Sequence, residues 1–204
     1  MSVTKLLSRI VAPQDVDYTG VKTRNDVEGT LHDHTYGITS DPLTQFACVF
    51  SALVHDADHP GVPNTQLIKE KTNEAQVFQN RSIAEQNSLS LTWSILMDDR
   101  YKDLRKTMCA TREEYERFRQ LTVNLVMATD IMDKELKTLR NARWDKAFKK
   151  ESAESDNDSD NFHRKATIVI EHLIQASDVA HTMQHWQYVI NVFRVYCLWG
   201  LIVV

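Results

Sequence analysis

Apolar residues recur every three or four positions along most of the chain, which predicts amphipathic α-helices rather than strands. The clearest stripe follows Asp41 and Pro42, and the proline suits a first helical position. We expect this stripe to face the core, and its members are Leu43, Phe46, Ala47, Phe50, Leu53 and Val54. The helix is expected to end at His55 to Gly61, where a Pro-Gly pair stops it.

Further helices are expected on both sides of this one. Residues 1–12 form an apolar stripe, whereas residues 13–37 show no such period and are expected to be a connection. Ser82 with Glu85, and Thr111 with Glu114, each have the spacing of a capping box at the start of a helix. Residues 131–150 and 164–178 complete the expected set.

Two segments lack this pattern. Residues 151–161 read ESAESDNDSDN and predict a mobile acidic loop, without the spacing or the glycine of an EF-hand calcium loop. Residues 195–204 read VYCLWGLIVV and form an apolar C-terminal tail. A membrane span needs about 20 apolar residues, so this tail is too short and a membrane association of this segment is not expected.

Composition narrows the fold class further. The 204 residues include 5 glycines and 4 prolines, against about 24 at average usage, so sandwiches and barrels are disfavoured. An apolar fraction of 42% and a charged fraction of 25% are those of a globular protein. A net charge of −4 gives no basic footprint for nucleic acid, and 3 cysteines without a CxxC pair favour a reducing, cytoplasmic compartment. We therefore predict an all-α domain.

The candidate chemistry centres on the segment HDADHPGVPN at residues 55–64. A histidine and a carboxylate at the end of an apolar helix must be paired or bound to metal, because burying a bare charge is costly. Adjacent His55 and Asp56 diverge by about 100° on a helix and can hold one cation from two directions. The second oxygen of Asp56 could then reach another cation, as carboxylates do in two-metal hydrolase sites.

Asp178 is the second anchor, because it ends the apolar stripe that precedes it. A carboxylate at the negative end of a helix dipole is unfavourable, and a bound metal would compensate for it. The alternative interpretation is that Asp178 caps a following helix that starts at Val179.

Four segments in this order resemble the class I cyclic nucleotide phosphodiesterases, helical metallohydrolases of the HD superfamily: HDADHPGVPN, AEQNSL at 84–89, LVMATD at 125–130 and HLIQASDVAH at 172–181. The resemblance covers about residues 40–190. It implies a compact HD-type metallohydrolase domain that hydrolyses a 3′,5′-cyclic nucleotide, cAMP or cGMP, to the 5′-monophosphate in signal transduction. It also implies two divalent ions, zinc at one site and magnesium or manganese at the other.

The resemblance further assigns roles to residues. His55, Asp56 and Asp178 would ligate the tight metal, with Asp56 bridging to the second ion, so that Asp56 and Asp178 also bind the substrate phosphate through the metals. Three more positions would hold waters of the second ion, and a fourth would line the purine pocket: these are His59, Glu85 and Thr129, and then His181.

The family's proton-donating histidine and its purine-gripping glutamine have no counterpart in this sequence. The only histidines upstream of the motif are His32 and His34, which fall in the expected connection. We therefore expect residues 1–194 to be a catalytic domain that is incomplete at both ends and part of a larger, multidomain protein, either cytoplasmic or on the cytoplasmic face of a membrane. The alternatives are a non-catalytic module that binds nucleotide or a partner, and another HD-type phosphohydrolase.

Overall fold

The computed structural model of this chain describes residues 4–5, 7–8, 24–148 and 158–180. Within those ranges all regular structure is helical and no strand occurs, which confirms the all-α prediction. The nine α-helices there are α1 (Arg24–His34), α2 (Pro42–Val54), α3 (Asn64–Glu70), α4 (Asn73–Val77), α5 (Ile83–Leu96), α6 (Lys102–Met108), α7 (Arg112–Ala128), α8 (Lys134–Phe148) and α9 (Asp158–Val179). Short 3₁₀ turns cover Ile38–Ser40 and Asp99–Tyr101. No helix among the described residues is long and apolar enough to cross a bilayer.

The core forms where α2 packs along α7 and α9 lies across both. Phe118 of α7 is fully buried at its centre. Its ring lies 5.6 Å from that of Phe46, 5.3 Å from that of Phe50 and 6.2 Å from that of Trp93, measured between centroids. These contacts fix α2, α5 and α7 relative to one another, and therefore fix the ends of the helices that carry the candidate site.

The expected stripe of α2 is partly wrong. Its buried face consists of Thr44, Ala47, Cys48 and Ser51. Leu53 is 80% exposed and Phe46 41% exposed, although both were expected in the core. The helix is apolar around most of its circumference, so periodicity alone does not select one face. The fully buried positions are the ones with small side chains, and the Phe46 and Phe50 rings contact Phe118 of α7 beside them.

The expected connection at 13–37 is also wrong in its second half, because α1 occupies residues 24–34. This helix is polar and so carries no apolar period. It is followed by a turn at Gly37, whose positive φ of 81° favours glycine and whose N–H donates to the His32 carbonyl at 2.7 Å. Of the predicted first helix, Thr4, Lys5, Leu7 and Ser8 are described and helical, and Leu7 is buried.

The two predicted capping boxes have opposite outcomes. At α7, Thr111 Oγ1 accepts from the Glu114 N–H and the Glu114 carboxylate accepts from the Thr111 N–H, so that box is confirmed. At α5 the box is wrong, because Ser82 has a left-handed φ of 37° and makes no side-chain cap. The Ala84 N–H donates instead to Asn64 Oδ1 at 2.9 Å.

The remaining predicted segments have mixed outcomes. α8 and α9 occupy the predicted helical segments, but α9 begins at Asp158, so the last four residues of the expected acidic loop are helical. Residues 151–157, the tail at 195–204 and His181 lie outside the described residues.

Candidate metal centre

The end of α2 presents His55 with a fixed ring orientation. The His55 N–H donates to the Ser51 carbonyl at 2.9 Å, which continues the last helical turn. Its Nδ1 lies 3.1 Å from the Ala52 carbonyl oxygen, so Nδ1 carries a hydrogen. A bond of this kind fixes the tautomer of a metal-binding histidine and directs Nε2 toward the ligand site.

Asp178 reaches the same point from the last turn of α9. Its Oδ1 lies 3.3 Å from His55 Nε2, although the two residues are 123 positions apart in the sequence. Asp56 Oδ2 lies 3.4 Å from the same nitrogen. One ligand atom from each of the three residues lies within 4.8 Å of the other two. The structure thus brings together the three residues that the sequence suggested as metal ligands.

This donor set fits a divalent cation. One imidazole nitrogen and two carboxylate oxygens are ligands that zinc accepts, and catalytic zinc sites keep a further position open for water or substrate. The Asp56 side chain is 65% exposed and that of Asp178 36% exposed, whereas that of His55 is only 18% exposed. The carboxylates therefore face solvent, from which further ligands can enter.

The electrostatics of the cluster favour a positive charge. The hydrogen bond that the His55 ring donates to Asp178 raises the pKa of His55 above its ordinary value, with an opposing contribution from burial and one in the same direction from the Asp56 charge. Without metal, the carboxylates stabilise the protonated imidazole. A divalent ion in the same place would displace that proton.

The turn after Asp56 is held against α5 by two polar contacts. Ser88 Oγ donates to the Ala57 carbonyl at 2.8 Å, and Asn87 Nδ2 donates to Asp58 Oδ2 at 3.2 Å. Gly61 has a positive φ of 74°, and its N–H donates to His59 Nδ1 at 3.0 Å. The turn therefore has a defined shape that leads His59 toward the start of α5.

A second polar cluster lies at the start of α5. Asn64 Nδ2 lies 3.0 Å from Glu85 Oε2 and 3.5 Å from Asp130 Oδ2. Burial raises the pKa of Glu85, and the Asp130 charge acts in the same direction, whereas the Asn64 hydrogen bond and the His59 charge lower it. Two carboxylates and His59 are therefore close neighbours here.

The end of α7 completes this cluster. Thr129 is the C-terminal cap, and its Oγ1 donates to the Val126 carbonyl at 2.7 Å. Asp130 follows and is buried, with Oδ1 accepting from the N–H groups of Met132 and Asp133. Gln175 Nε2 donates to the Ala128 carbonyl at 2.7 Å, which ties this helix end to α9 three residues before Asp178.

Sequence reasoning missed two residues of this region. Asn64 and Asp130 are the last residues of two of the recognised segments, but neither was assigned a role. The available signal was that Asn64, a residue type that caps helices, directly follows Pro63 at a position where no helix was expected. The hydrogen-bond partners of Asn64, however, lie 20 to 66 positions away in the sequence.

His32 and His34 do not join His55, Asp56 and Asp178. His32 and His34 lie in the last turn of α1 rather than in a connection. His32 Nδ1 lies 2.5 Å from Ser40 Oγ, beside the start of α2. The 13 residues of α2 place that end about 20 Å from His55. His181 lies outside the described residues.

Comparison with known proteins agrees with the phosphodiesterase resemblance of the sequence motifs. The family model for 3′5′-cyclic nucleotide phosphodiesterase matches residues 29–197. A dual specificity calcium/calmodulin-dependent 3′,5′-cyclic nucleotide phosphodiesterase 1C from Homo sapiens is 32% identical over 110 residues, which are 52% of this chain and 15% of that protein. Phosphodiesterase 1B of the same kind from Mus musculus is 26% identical over 147 residues, or 69% of this chain and 23% of that protein.

A solved structure has a similar fold. The crystal structure of the phosphodiesterase domain of Salpingoeca rosetta rhodopsin phosphodiesterase matches with a TM-score of 0.58 and 17% identity. The match covers 92% of this chain and 70% of that one. This likeness supports the fold, whereas the curated relatives are matched over less than a quarter of their length.

Proposed function

We propose that this chain contributes the metal-binding centre of a hydrolase acting on 3′,5′-cyclic nucleotides, because it belongs to the 3′5′-cyclic nucleotide phosphodiesterase family. The observation that carries the proposal is the convergence of His55, Asp56 and Asp178 from two distant helix ends. The product would be the 5′-monophosphate.

Each of the three residues has a separate task in this proposal. His55 is held by the Ala52 carbonyl, so that the Nε2 lone pair faces the metal once the ring is neutral. Asp56 and Asp178 supply the negative charge that a divalent cation needs. When bound, such a cation lowers the pKa of water and polarises a phosphoryl oxygen. The carboxylates thereby hold the phosphate indirectly, through the metal.

We assign zinc to the His55, Asp56 and Asp178 group, since nitrogen donors suit zinc, and magnesium or manganese to a second position. Asp56 is the bridging residue in this assignment, because it is the most exposed of the three and its second oxygen is available. His59, Glu85 and Thr129 would hold waters around the second ion. Magnesium keeps several of its waters, which suits residues that act through water.

Protonation of the leaving 3′ oxygen needs a separate acid. We assign this role to no described histidine, because His55 serves as a ligand and His32 lies at the far end of α2. We accordingly expect the 204 residues alone to hydrolyse cyclic nucleotide slowly or not at all, and their parent to be larger. The same proposal includes recognition of the purine by His181 and a substrate that is cAMP or cGMP.

A cytoplasmic location, or the cytoplasmic face of a membrane-bound parent, is proposed with it. Its support is the cysteine usage, since Cys48 and Cys109 are both free and buried. Burial raises the pKa of Cys48 to about 12, which leaves this thiol unreactive.

The test compares Asp178→Asn with Asp103→Asn in the same chain. Asp103 is 98% exposed, and its one ion pair within the described residues is the 3.9 Å contact with Lys106, so it serves as a matched carboxylate control. We expect Asp178→Asn to lose bound zinc, measured by mass spectrometry of the metal, and Asp103→Asn to retain it. Turnover is then measured with cAMP and cGMP on the chain alone and on the parent protein. Equal zinc content in the two variants would overturn the metal assignment, and nucleotide binding by the parent without turnover would favour the non-catalytic module.

A further inference from the structure

Asn64 makes three side-chain hydrogen bonds at the start of α5. Its Oδ1 accepts from the Ala84 N–H at 2.9 Å, and its Nδ2 lies 3.0 Å from Glu85 Oε2 and 3.5 Å from Asp130 Oδ2. An amide nitrogen carries two hydrogens, so it can serve one carboxylate with each. A single side chain thus joins the segment after Asp56, the first turn of α5 and the end of α7.

The two capping boxes show what Asn64 changes. At α7 the Glu114 carboxylate is occupied by capping, because Oε2 accepts from the N–H groups of Ala110 at 2.7 Å and Thr111 at 3.3 Å. The α5 sequence has the same spacing, yet Ser82 is in the left-handed region and its buried Oγ has no hydrogen-bond partner. Asn64 caps this helix in its place. Glu85 is therefore released from the role that its counterpart Glu114 performs.

The released carboxylate is also fixed in direction. Oε2 of Glu85 is bound to Asn64 and the carboxylate also accepts from the Glu85 N–H, but Oε1 has no hydrogen bond to any side chain in the described part of the chain. Asp130 lies on the other side of the same amide, and its like charge repels Glu85 and raises its pKa. The amide donor between the partly buried Glu85 and the buried Asp130 compensates for part of this repulsion and for their lost hydration.

We propose that Asn64 is a positioning residue that caps α5 in place of Ser82 and so holds Glu85 free to bind the water of the second metal ion. This inference rests on the proposed function, because that function is what gives Glu85 its role. It concerns the orientation of Glu85 and not the chemistry of the reacting atoms.

The test separates the capping function of Asn64 from its donor function. Asn64→Asp retains an oxygen for the Ala84 N–H but replaces the amide donor, whereas Asn64→Leu removes both. Asn87→Asp is the matched control, since Asn87 also bridges the same turn and α5, through Asp58, without contacting Glu85. Each variant is loaded with zinc and titrated with Mn²⁺ by calorimetry, and its melting temperature is recorded.

We expect Asn64→Asp to weaken Mn²⁺ binding about 10–100-fold, the usual loss for an outer-shell partner of a metal site. Zinc content should stay at the value of the unsubstituted chain, as should Mn²⁺ binding by Asn87→Asp. The melting temperature of Asn64→Asp should fall, because the substitution removes the donor between Glu85 and Asp130 and adds a third carboxylate. Asn64→Leu should show the same weakening together with a lower melting temperature. The added charge of Asn64→Asp would by itself tighten cation binding, so a weaker affinity has the opposite sign from simple charge attraction.

The outcomes distinguish this inference from the proposed function. The inference is overturned, and the function stands, if the unsubstituted chain binds Mn²⁺, the larger protein hydrolyses substrate, and Asn64→Asp binds Mn²⁺ as tightly as the unsubstituted chain. If Asn64→Asp weakens Mn²⁺ binding while the larger protein that contains this chain shows no turnover, the inference stands and the hydrolytic function is overturned. If the zinc-loaded parent binds no Mn²⁺, the second ion and the role of Asn64 are both overturned.

Discussion

The ion pair between Arg143 of α8 and Glu171 of α9 offers the clearest test of how the helix carrying Asp178 is anchored. Arg143 Nη1 lies 2.9 Å from Glu171 Oε1 and 3.3 Å from Oε2. The Glu171 side chain is only 5% exposed, whereas that of Arg143 is 40% exposed. Arg143→Met removes the guanidinium, retains an apolar side chain and leaves a buried carboxylate without its partner.

The expected loss follows from that burial. Removing one partner of a buried pair costs about 3–5 kcal/mol of unfolding free energy, because the remaining charge is uncompensated. Arg143 is partly exposed, so water can reach the carboxylate after the substitution, and we expect a loss of about 3 kcal/mol. A domain of this size is stable by about 5–15 kcal/mol, so the change should be plain. Replacing both members, as Arg143→Met with Glu171→Leu, should return stability to within about 1 kcal/mol of the parent.

The free energy of unfolding of both variants is measured by urea denaturation, with far-UV circular dichroism and tryptophan fluorescence as the two probes. Trp144 is adjacent to the pair and its ring lies 5.0 Å from that of His172, so its emission reports on α8 and α9. A loss below about 1 kcal/mol in Arg143→Met would refute the reasoning, since that is the value of an exposed pair. A double variant as unstable as the single one would refute it as well, because the loss would then not come from an isolated charge.

Four further predictions concern the metal centre and the core. Asp56→Asn should abolish zinc binding in calorimetry, whereas Glu85→Gln should retain it, because Asp56 contributes a ligand atom and Glu85 does not; equal losses would contradict the assignment. Zinc affinity should fall about tenfold per pH unit below the raised pKa of His55, because each ion displaces one proton, and a flat profile would exclude this competition. Without metal, protonated His55 stabilises the fold fully below about pH 6.5, and this contribution is lost as the pH rises through the raised folded-state pKa. Asp178→Asn should reduce this pH dependence of the urea midpoint. Phe118→Ala should cost about 3–5 kcal/mol in urea denaturation, since the ring is fully buried among three others, and a loss below about 2 kcal/mol would mean that the core closes around the gap.

Local signals in the sequence predicted the elements whose stabilising contacts are also local. Asp41 accepts from the Thr44 N–H at 3.1 Å, three residues along, and α2 begins as predicted. Thr111 and Glu114 lie three residues apart and form their box. The group of His55, Asp56 and Asp178 was predictable for a different reason. No local rule relates His55 to Asp178, but both lie in segments that resemble one family pattern.

Two of the failures come from contacts between residues that are distant in the sequence, whereas the failure at α1 comes from the lack of an apolar stripe. Asn64 caps a helix that starts some 20 positions later, so the Ser82 box could not be rejected from its own spacing. α1 has no apolar stripe and is held by hydrogen bonds around its C-terminal end, such as the 2.7 Å bond from Thr35 Oγ1 to the Leu31 carbonyl. On α2, the orientation was decided by close packing against α7, which exposes Leu53 and buries Ser51.

The acidic residues of the site lie at helix ends where an isolated helix would disfavour them. Asp56 follows α2, Asp130 follows α7 and Asp178 lies in the last turn of α9, each at the negative end of a helix dipole. None of these three helices has a basic residue in its last turn. The bonds from Gln175 to the Ala128 carbonyl and from His55 to Asp178 tie the three ends together, so the unfavourable potentials add. A protonated His55 neutralises part of this charge, and a divalent cation among the same carboxylates would neutralise more of it. The arrangement that weakens each helix end by itself is therefore the one that favours binding of a metal ion.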